Sequence, residues 1–106
     1  VHHHLKMIKI INKKIDKTGR PIFLFGAHVF AQYLINFGLK TKRIIYILDN
    51  DKKKQNKRFY GSKFVVKSPK ILSKYNNPLV ILKAGTFINE IKNDILKNIN
   101  AKTQFI

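Results

Sequence analysis

PIFLFGAHVFAQYLINFGL, residues 21–39, carries two hydrophobic periods side by side. Its first five residues are apolar without a break, the pattern of a short strand buried on both faces. From Ala27 the period lengthens. Ala27, Phe30, Ala31, Leu34 and Ile35 fall on one face of a helix, and Gly38 is placed to end it. With Gly26 at the junction, the segment reads strand, tight turn, helix. A strand covered on both sides belongs in a parallel sheet sandwiched between helices.

The pattern recurs along the chain. RIIYILDN at 43–50 and PLVIL at 78–82 repeat the strand signal, and TQFI at 103–106 reads as a last strand. TFINEIKNDILKNI at 86–99 places Phe87, Ile88, Ile91, Ile95 and Ile99 at helical spacing. Between these lie a polar loop at 49–61, an extended piece at Phe64 to Val66, and SPKILSKY, in which Ser68 is suited to cap and Pro69 to open a short helix. Ahead of residue 21, Leu5, Ile8, Ile11 and Ile15 mark a helix that DKTGRP breaks. The expected organisation is a lead-in helix and turn over 1–19 and an α/β domain over 20–106. Alternation of this kind calls for right-handed crossovers and a doubly wound, mostly parallel sheet of about four or five strands. The expected spatial order is 64–66, 44–48, 21–25, 79–83, 103–106.

At 106 residues the chain holds one core and is too short for a catalytic domain plus a substrate domain, so an enzyme here is expected to be part of a larger one. With no cysteine there is no disulfide framework and no thiolate metal site. No apolar stretch approaches the roughly 20 residues that span a bilayer, and VHHHLKM lacks the features of a signal peptide, so a cytoplasmic location is expected. His2, His3 and His4 read equally as a tag remnant or native chain.

A formal net charge of +17 raises the possibility of a nucleic-acid or membrane-surface partner. The composition tempers it. Lysine, isoleucine and asparagine dominate, as expected from an AT-rich genome, and Arg20, Arg43 and Arg58 are the only arginines. Sequence-reading proteins favour the planar guanidinium, which bonds guanine edges bidentately. No specific nucleic-acid partner is therefore expected, only weak, salt-sensitive and sequence-indifferent binding.

In doubly wound sheets ligands bind beyond the carboxyl ends of the strands, which here carry FGAH, LDND and KAGT. Against the dinucleotide fingerprint G-x-G-x-x-G/A, Gly26 and Ala31 fit, as does Asp49 at a distance of 23 residues from Gly26. His28 replaces the middle glycine, and its side chain is expected to obstruct a pyrophosphate in the usual pose. Two readings of His28 stand: a neutral imidazole contacting a ligand, or a polar side chain that fills space at the helix start. Asp49 and Asp51 likewise either cap the following turn or accept a ribose hydroxyl. Phe59 and Tyr60 read as packing or as cover for a sugar or base ring. No second ligand accompanies His28, so no metal site is expected, and no nucleophile or acid/base pair marks a catalytic centre.

The loop DNDKKKQNKRFYG, Asp49 to Gly61, resembles a segment of the small Rossmann-like C-terminal domain of deoxysugar C-methyltransferases, which runs roughly Asp-Asp-Asn-Pro-x-Lys-Gln-Gly-Lys-Tyr-x-Pro-Gly. Asp49, Lys54, Gln55, Lys57 and Gly61 fall on that pattern without a gap. FLFGAH stands where the family has a Gly-Ala-Gly turn, Ser68 and Pro69 at its next helix start, and Asn89 to Ile91 near its later Glu-Ile. The resemblance covers about residues 20–106. The chain departs from the pattern at Asn56, in place of a glycine and tolerant of positive φ, at Tyr60 in place of a proline, and at KAGTF in place of Ala-Trp-Asn plus an aromatic.

The resemblance implies a substrate-side domain of a SAM-dependent sugar methyltransferase of sugar or polysaccharide biosynthesis. It implies no cofactor in this chain, with S-adenosylmethionine (SAM) and the catalytic residues carried by a separate domain of the same polypeptide. The expected partner is a nucleotide-sugar and the expected substrate-binding residues are Gly26, His28, Asp49, Asp51, Lys54, Gln55, Lys57 and Gly61. KKKQNKR is accordingly read as a loop beside a phosphate-bearing ligand, against a solvated lysine run. The competing hypothesis is a stand-alone, non-catalytic Rossmann-like module that binds or docks a nucleotide. An adjoining glycine-rich methyltransferase segment in the reading frame separates the two.

Overall fold

The computed structural model describes residues 2–83 and 87–106. The elements run α1 (His2–Lys17), β1 (Ile22–Phe25), α2 (Val29–Asn36), β2 (Ile44–Leu48), β3 (Val66–Lys67), a 3-10 helix (Pro69–Lys74), β4 (Leu79–Ile81), α3 (Ile88–Asn98) and β5 (Gln104–Phe105). All four strand pairings are parallel, and the order across the sheet is β3-β2-β1-β4-β5. This is the expected order, and the fold is a small Rossmann-like α/β sheet.

Both faces of the sheet are covered, which accounts for the unbroken apolar runs. Because successive strand residues point to opposite sides, Ile22, Leu24, Leu79 and Ile81 join a core with Ile8, Ile11 and Ile15 of α1 and Ala31 and Leu34 of α2. Phe23, Phe25, Val80 and Leu82 join a second core with Leu72 of the 3-10 helix and Ile95 of α3. The pairing of β1 with β2 slips between Ile22↔Ile44 and Leu24↔Ile47, so β2 holds one extra residue, and Ile45 is left exposed there.

Helix boundaries follow local chemistry. α2 ends where Gly38 takes φ +111° and the Leu39 N–H donates to the Leu34 carbonyl at 2.9 Å, the six-to-one bond of a glycine-terminated helix. Ser68 Oγ accepts the Lys70 N–H at 3.2 Å with Pro69 behind it, so the expected cap forms, on a 3-10 rather than an α-helix.

Two details differ from the sequence reading. The third strand is Val66–Lys67 rather than 64–66, because Val65 is engaged in an antiparallel bridge to Arg58 and the Phe59 N–H donates to the Phe64 carbonyl at 2.7 Å. Residues 58–65 thus fold back on themselves before the strand begins. Phe87, expected on the apolar face of α3, stands just before the helix and is 64% exposed.

Two of the three arginines work at the opposite, amino edge of the sheet. Arg43 donates to the carbonyls of Ile15 and Arg20, and Arg20 to those of Asn77 and Lys102, joining α1, β1 and the loops before β4 and β5. Arg58 alone of the three lines a cleft at the carboxyl edge.

Candidate functional site

The β1–α2 turn is built around Gly26. Its φ of +105° suits glycine, and a Cβ placed there would lie 2.5 Å from His28 Nε2. His28 therefore folds its ring over the Gly26 backbone, in the space that a dinucleotide fingerprint leaves open for a pyrophosphate. The residue is extended, φ −146°, and its carbonyl starts α2 by accepting the N–H groups of Ala31 and Gln32. The ring makes no capping hydrogen bond and lines the adjoining cleft.

The exit of β2 locks onto this turn. The Ala27 N–H donates to Asp49 Oδ2 at 2.9 Å, and the Ala27 carbonyl accepts from Lys54 Nζ at 2.8 Å. One peptide residue is thus gripped on both sides by the loop. Asp49 Oδ1 accepts the Asp51 N–H at 2.9 Å, and Gln55 Nε2 donates to the Asp49 carbonyl at the same distance. Lys54 Nζ also lies 4.0 Å from Asp49 Oδ2, offsetting the charge of a carboxylate whose side chain is only 15% exposed. Asp51 Oδ1 accepts the Lys53 N–H at 2.9 Å and so shapes the next turn. Both aspartates therefore cap backbone groups, the first of the two roles open to them.

Beyond Gln55 the backbone stays tied while the Lys57, Arg58 and Tyr60 side chains do not. Asn56 adopts φ +63°, the left-handed conformation in which it stands in for glycine, and its N–H donates to the Val66 carbonyl at 2.7 Å. The Lys57 carbonyl accepts the Val66 N–H at 2.8 Å. Gly61 turns the chain at φ +76°, and Gln32 Nε2 of α2 donates to the Tyr60 carbonyl at 3.0 Å. Among the described residues the Lys57 and Arg58 side chains take no ion pair or hydrogen bond. Phe59 and Tyr60 part company: Phe59 is buried at 6% exposure in the core under α2, whereas Tyr60 is 86% exposed.

Turn and loop together bound an open cleft of about 340 Å³. His28 and Val29 contribute one side, and Lys53, Lys57, Arg58 and Tyr60 come from the loop. Among the described residues no carboxylate lines it, so its field is positive. Of the residues expected to bind substrate, His28, Lys54 and Lys57 line the cleft. Gly26, Asp49, Asp51 and Gln55 do not line it and belong instead to the hydrogen-bonded turn and loop behind it, and Gly61 lies in a smaller adjoining recess with Gln32 and Tyr60. The KAGT turn expected on the same edge falls on Ala84, Gly85 and Thr86, outside the described residues.

Sequence reasoning missed Gln32 and Val29, and read Lys53 and Arg58 only as members of the basic run KKKQNKR. Gln32 gave no signal, being a polar residue on a helix whose target is 28 positions away. Val29 was detectable as an apolar residue off the α2 core face, and it is 78% exposed.

The described residues hold no cluster of metal-ligating side chains, and no helix among them is long and apolar enough to cross a membrane. At the glycine turn His28 fills the space over Gly26, and the Ala27 N–H is already taken by Asp49. No curated protein and no solved structure matches the chain. One family profile does, over residues 2–106, and by that match the chain belongs to the C-methyltransferase C-terminal domain family.

Proposed function

We propose that this chain is the substrate-side domain of a SAM-dependent sugar methyltransferase and that it binds the diphosphate of a nucleotide-sugar in the cleft between the 26–29 turn and the 53–60 loop. The observation that carries this reading is the cleft's charge: Lys53, Lys57 and Arg58 face it with no carboxylate among the described residues that line it. A diphosphate suits such a site because charge-assisted hydrogen bonds from lysine and arginine are stronger than neutral ones. Lys54, committed to the Ala27 carbonyl, positions the loop, and anion binding falls to its neighbours.

The domain's part in catalysis is to hold and orient. SAM supplies the methyl group from a separate domain of the same polypeptide, and this chain fixes the sugar by its nucleotide. The closed turn at Gly26 agrees with that division of labour.

Calorimetric titration of the chain with a nucleoside-diphosphate sugar and with SAM tests the reading. The sugar nucleotide is expected to bind and SAM is not. Replacing Lys57 and Arg58 together by Ala weakens sugar-nucleotide binding by about 1–3 kcal/mol, the scale of lost hydrogen bonds to charged groups. Replacing Lys13 and Lys97, exposed on α1 and α3, is the charge-matched control and leaves binding unchanged. Equal weakening by both pairs reduces the site to diffuse positive charge, and stoichiometric SAM binding reverses the assignment.

A further inference from the structure

We infer that Tyr60 is a stacking platform for the nucleobase, so that the cleft selects a nucleoside diphosphate over a bare diphosphate or sugar phosphate. This rests on the reading of the cleft as a nucleotide-sugar site and adds to it the part of the ligand that does the selecting.

Three observations converge. The first is exposure: Tyr60 is 86% accessible, and its ring has no aromatic or hydrogen-bond partner among the described residues, while the adjacent Phe59 is buried. A tyrosine left this open gains little from folding, since its apolar body is what burial would reward. The second is the rigidity of its backbone. Gln32 holds the Tyr60 carbonyl, the Ser62 N–H donates to the Phe59 carbonyl at 3.0 Å, and the Phe59 N–H to the Phe64 carbonyl. The backbone at the loop tip is already held, so only the ring's own torsions remain to be ordered when a flat ligand settles on it. The third is neighbourhood. Tyr60 lines the same cleft as Lys57 and Arg58, with exposed Val29 adding apolar wall. An aromatic face beside a cluster of cations matches a ligand that is flat and apolar at one end and doubly phosphorylated next to it.

The neighbouring residues divide the ligand accordingly. Arg58 and Lys57 take the phosphates, Tyr60 and Val29 the base, and the sugar lies beyond the phosphates. Base-specific hydrogen bonding is not required, and stacking tolerates different bases.

The test is titration of the full chain with uridine diphosphate and, separately, with inorganic pyrophosphate. Wild type is expected to bind uridine diphosphate the more tightly. Tyr60→Ala lowers that affinity roughly 10-fold or more and leaves pyrophosphate affinity unchanged, whereas Tyr60→Phe, which keeps the π face, stays within roughly 2-fold of wild type. Lys57→Ala with Arg58→Ala weakens both probes. If Tyr60→Ala leaves uridine diphosphate binding intact, the ring serves another purpose and the inference is overturned. Equal loss of pyrophosphate binding overturns it too, by showing that Tyr60 only shapes the loop. Wild type binding both probes equally removes the platform and spares the anion site, while binding neither removes the nucleotide-sugar reading itself.

Discussion

Both halves of the 49–61 loop carry basic residues, yet their side chains meet opposite fates. In the first half Asp49, Asp51, Lys54 and Gln55 each spend a side-chain group on a backbone partner. In the second half the backbone is bonded to β3 and α2 while Lys57, Arg58 and Tyr60 present their side chains to the cleft. The difference separates two meanings of a sequence pattern. Asp49, Lys54 and Gln55, which fall on the family pattern, build the loop, whereas the groups free to meet a ligand are Lys57, also on that pattern, with Arg58 and the divergent Tyr60.

Removing Asp49 is the severest way to break the contrast. Asp49→Ala deletes the acceptor of two backbone N–H groups, one of them on buried Ala27, and is expected to cost about 3 kcal/mol, since each hydrogen bond to a charged group is worth about 1.5 kcal/mol or more. Urea unfolding measures it. A loss below about 1 kcal/mol would mean that the first half of the loop is no better anchored than the second.

Asn56 is the hinge between the halves, and its backbone sharpens the division. Asn56→Ala forces a left-handed conformation on a residue with no local compensation and is expected to destabilise by about 1–2 kcal/mol. Asn56→Gly accepts the same φ and is expected to stay within about 0.5 kcal/mol of wild type, despite losing the exposed bond from Lys67. If the two substitutions are equivalent, the hinge does not depend on positive φ.

Lys54 and Lys57 differ by three positions and are expected to behave as different kinds of residue. Lys54→Met keeps the aliphatic stem but loses the bond to the Ala27 carbonyl, costing about 1 kcal/mol in the same urea experiment, less than for Asp49 because the ammonium is partly exposed to water. The smallest stability effect belongs to the second half: Lys57→Ala and Arg58→Ala are each expected to stay within about 0.5 kcal/mol. Their consequence appears in diphosphate affinity instead. A Lys57 variant that unfolds as readily as Asp49→Ala would erase the distinction.

Much of the fold was legible because its signals are local or simply periodic. The runs at 21–25, 44–48 and 78–82 announced strands buried on both faces, and the two cores show why no polar alternation was needed. Gly38 as a helix terminator was readable from backbone sterics, and Asn56 as a glycine substitute from the family resemblance joined to asparagine's tolerance of positive φ. The cleft was only half legible. Gly26, His28 and the loop were placed on one edge by the parallel topology, but which lysine would be consumed by the Ala27 carbonyl depends on the packing of that edge.

The sequence by itself determined the order of elements, the parallel sheet and the excess of positive charge. These follow from hydrophobic period, steric preference and composition, which belong to the chain before it folds. Tertiary structure alone decided that Phe59 goes inward and Tyr60 outward, that β3 waits until Val66, that Phe87 stays off the core face, and that His28 closes over Gly26. Each of these outcomes turns on a neighbour distant in sequence or on a competition for the same space, such as the fold-back of residues 58–65 against the edge of β2. Neighbouring residues of one chemical type are equivalent on paper, and burial distinguishes them only once the second surface has arrived.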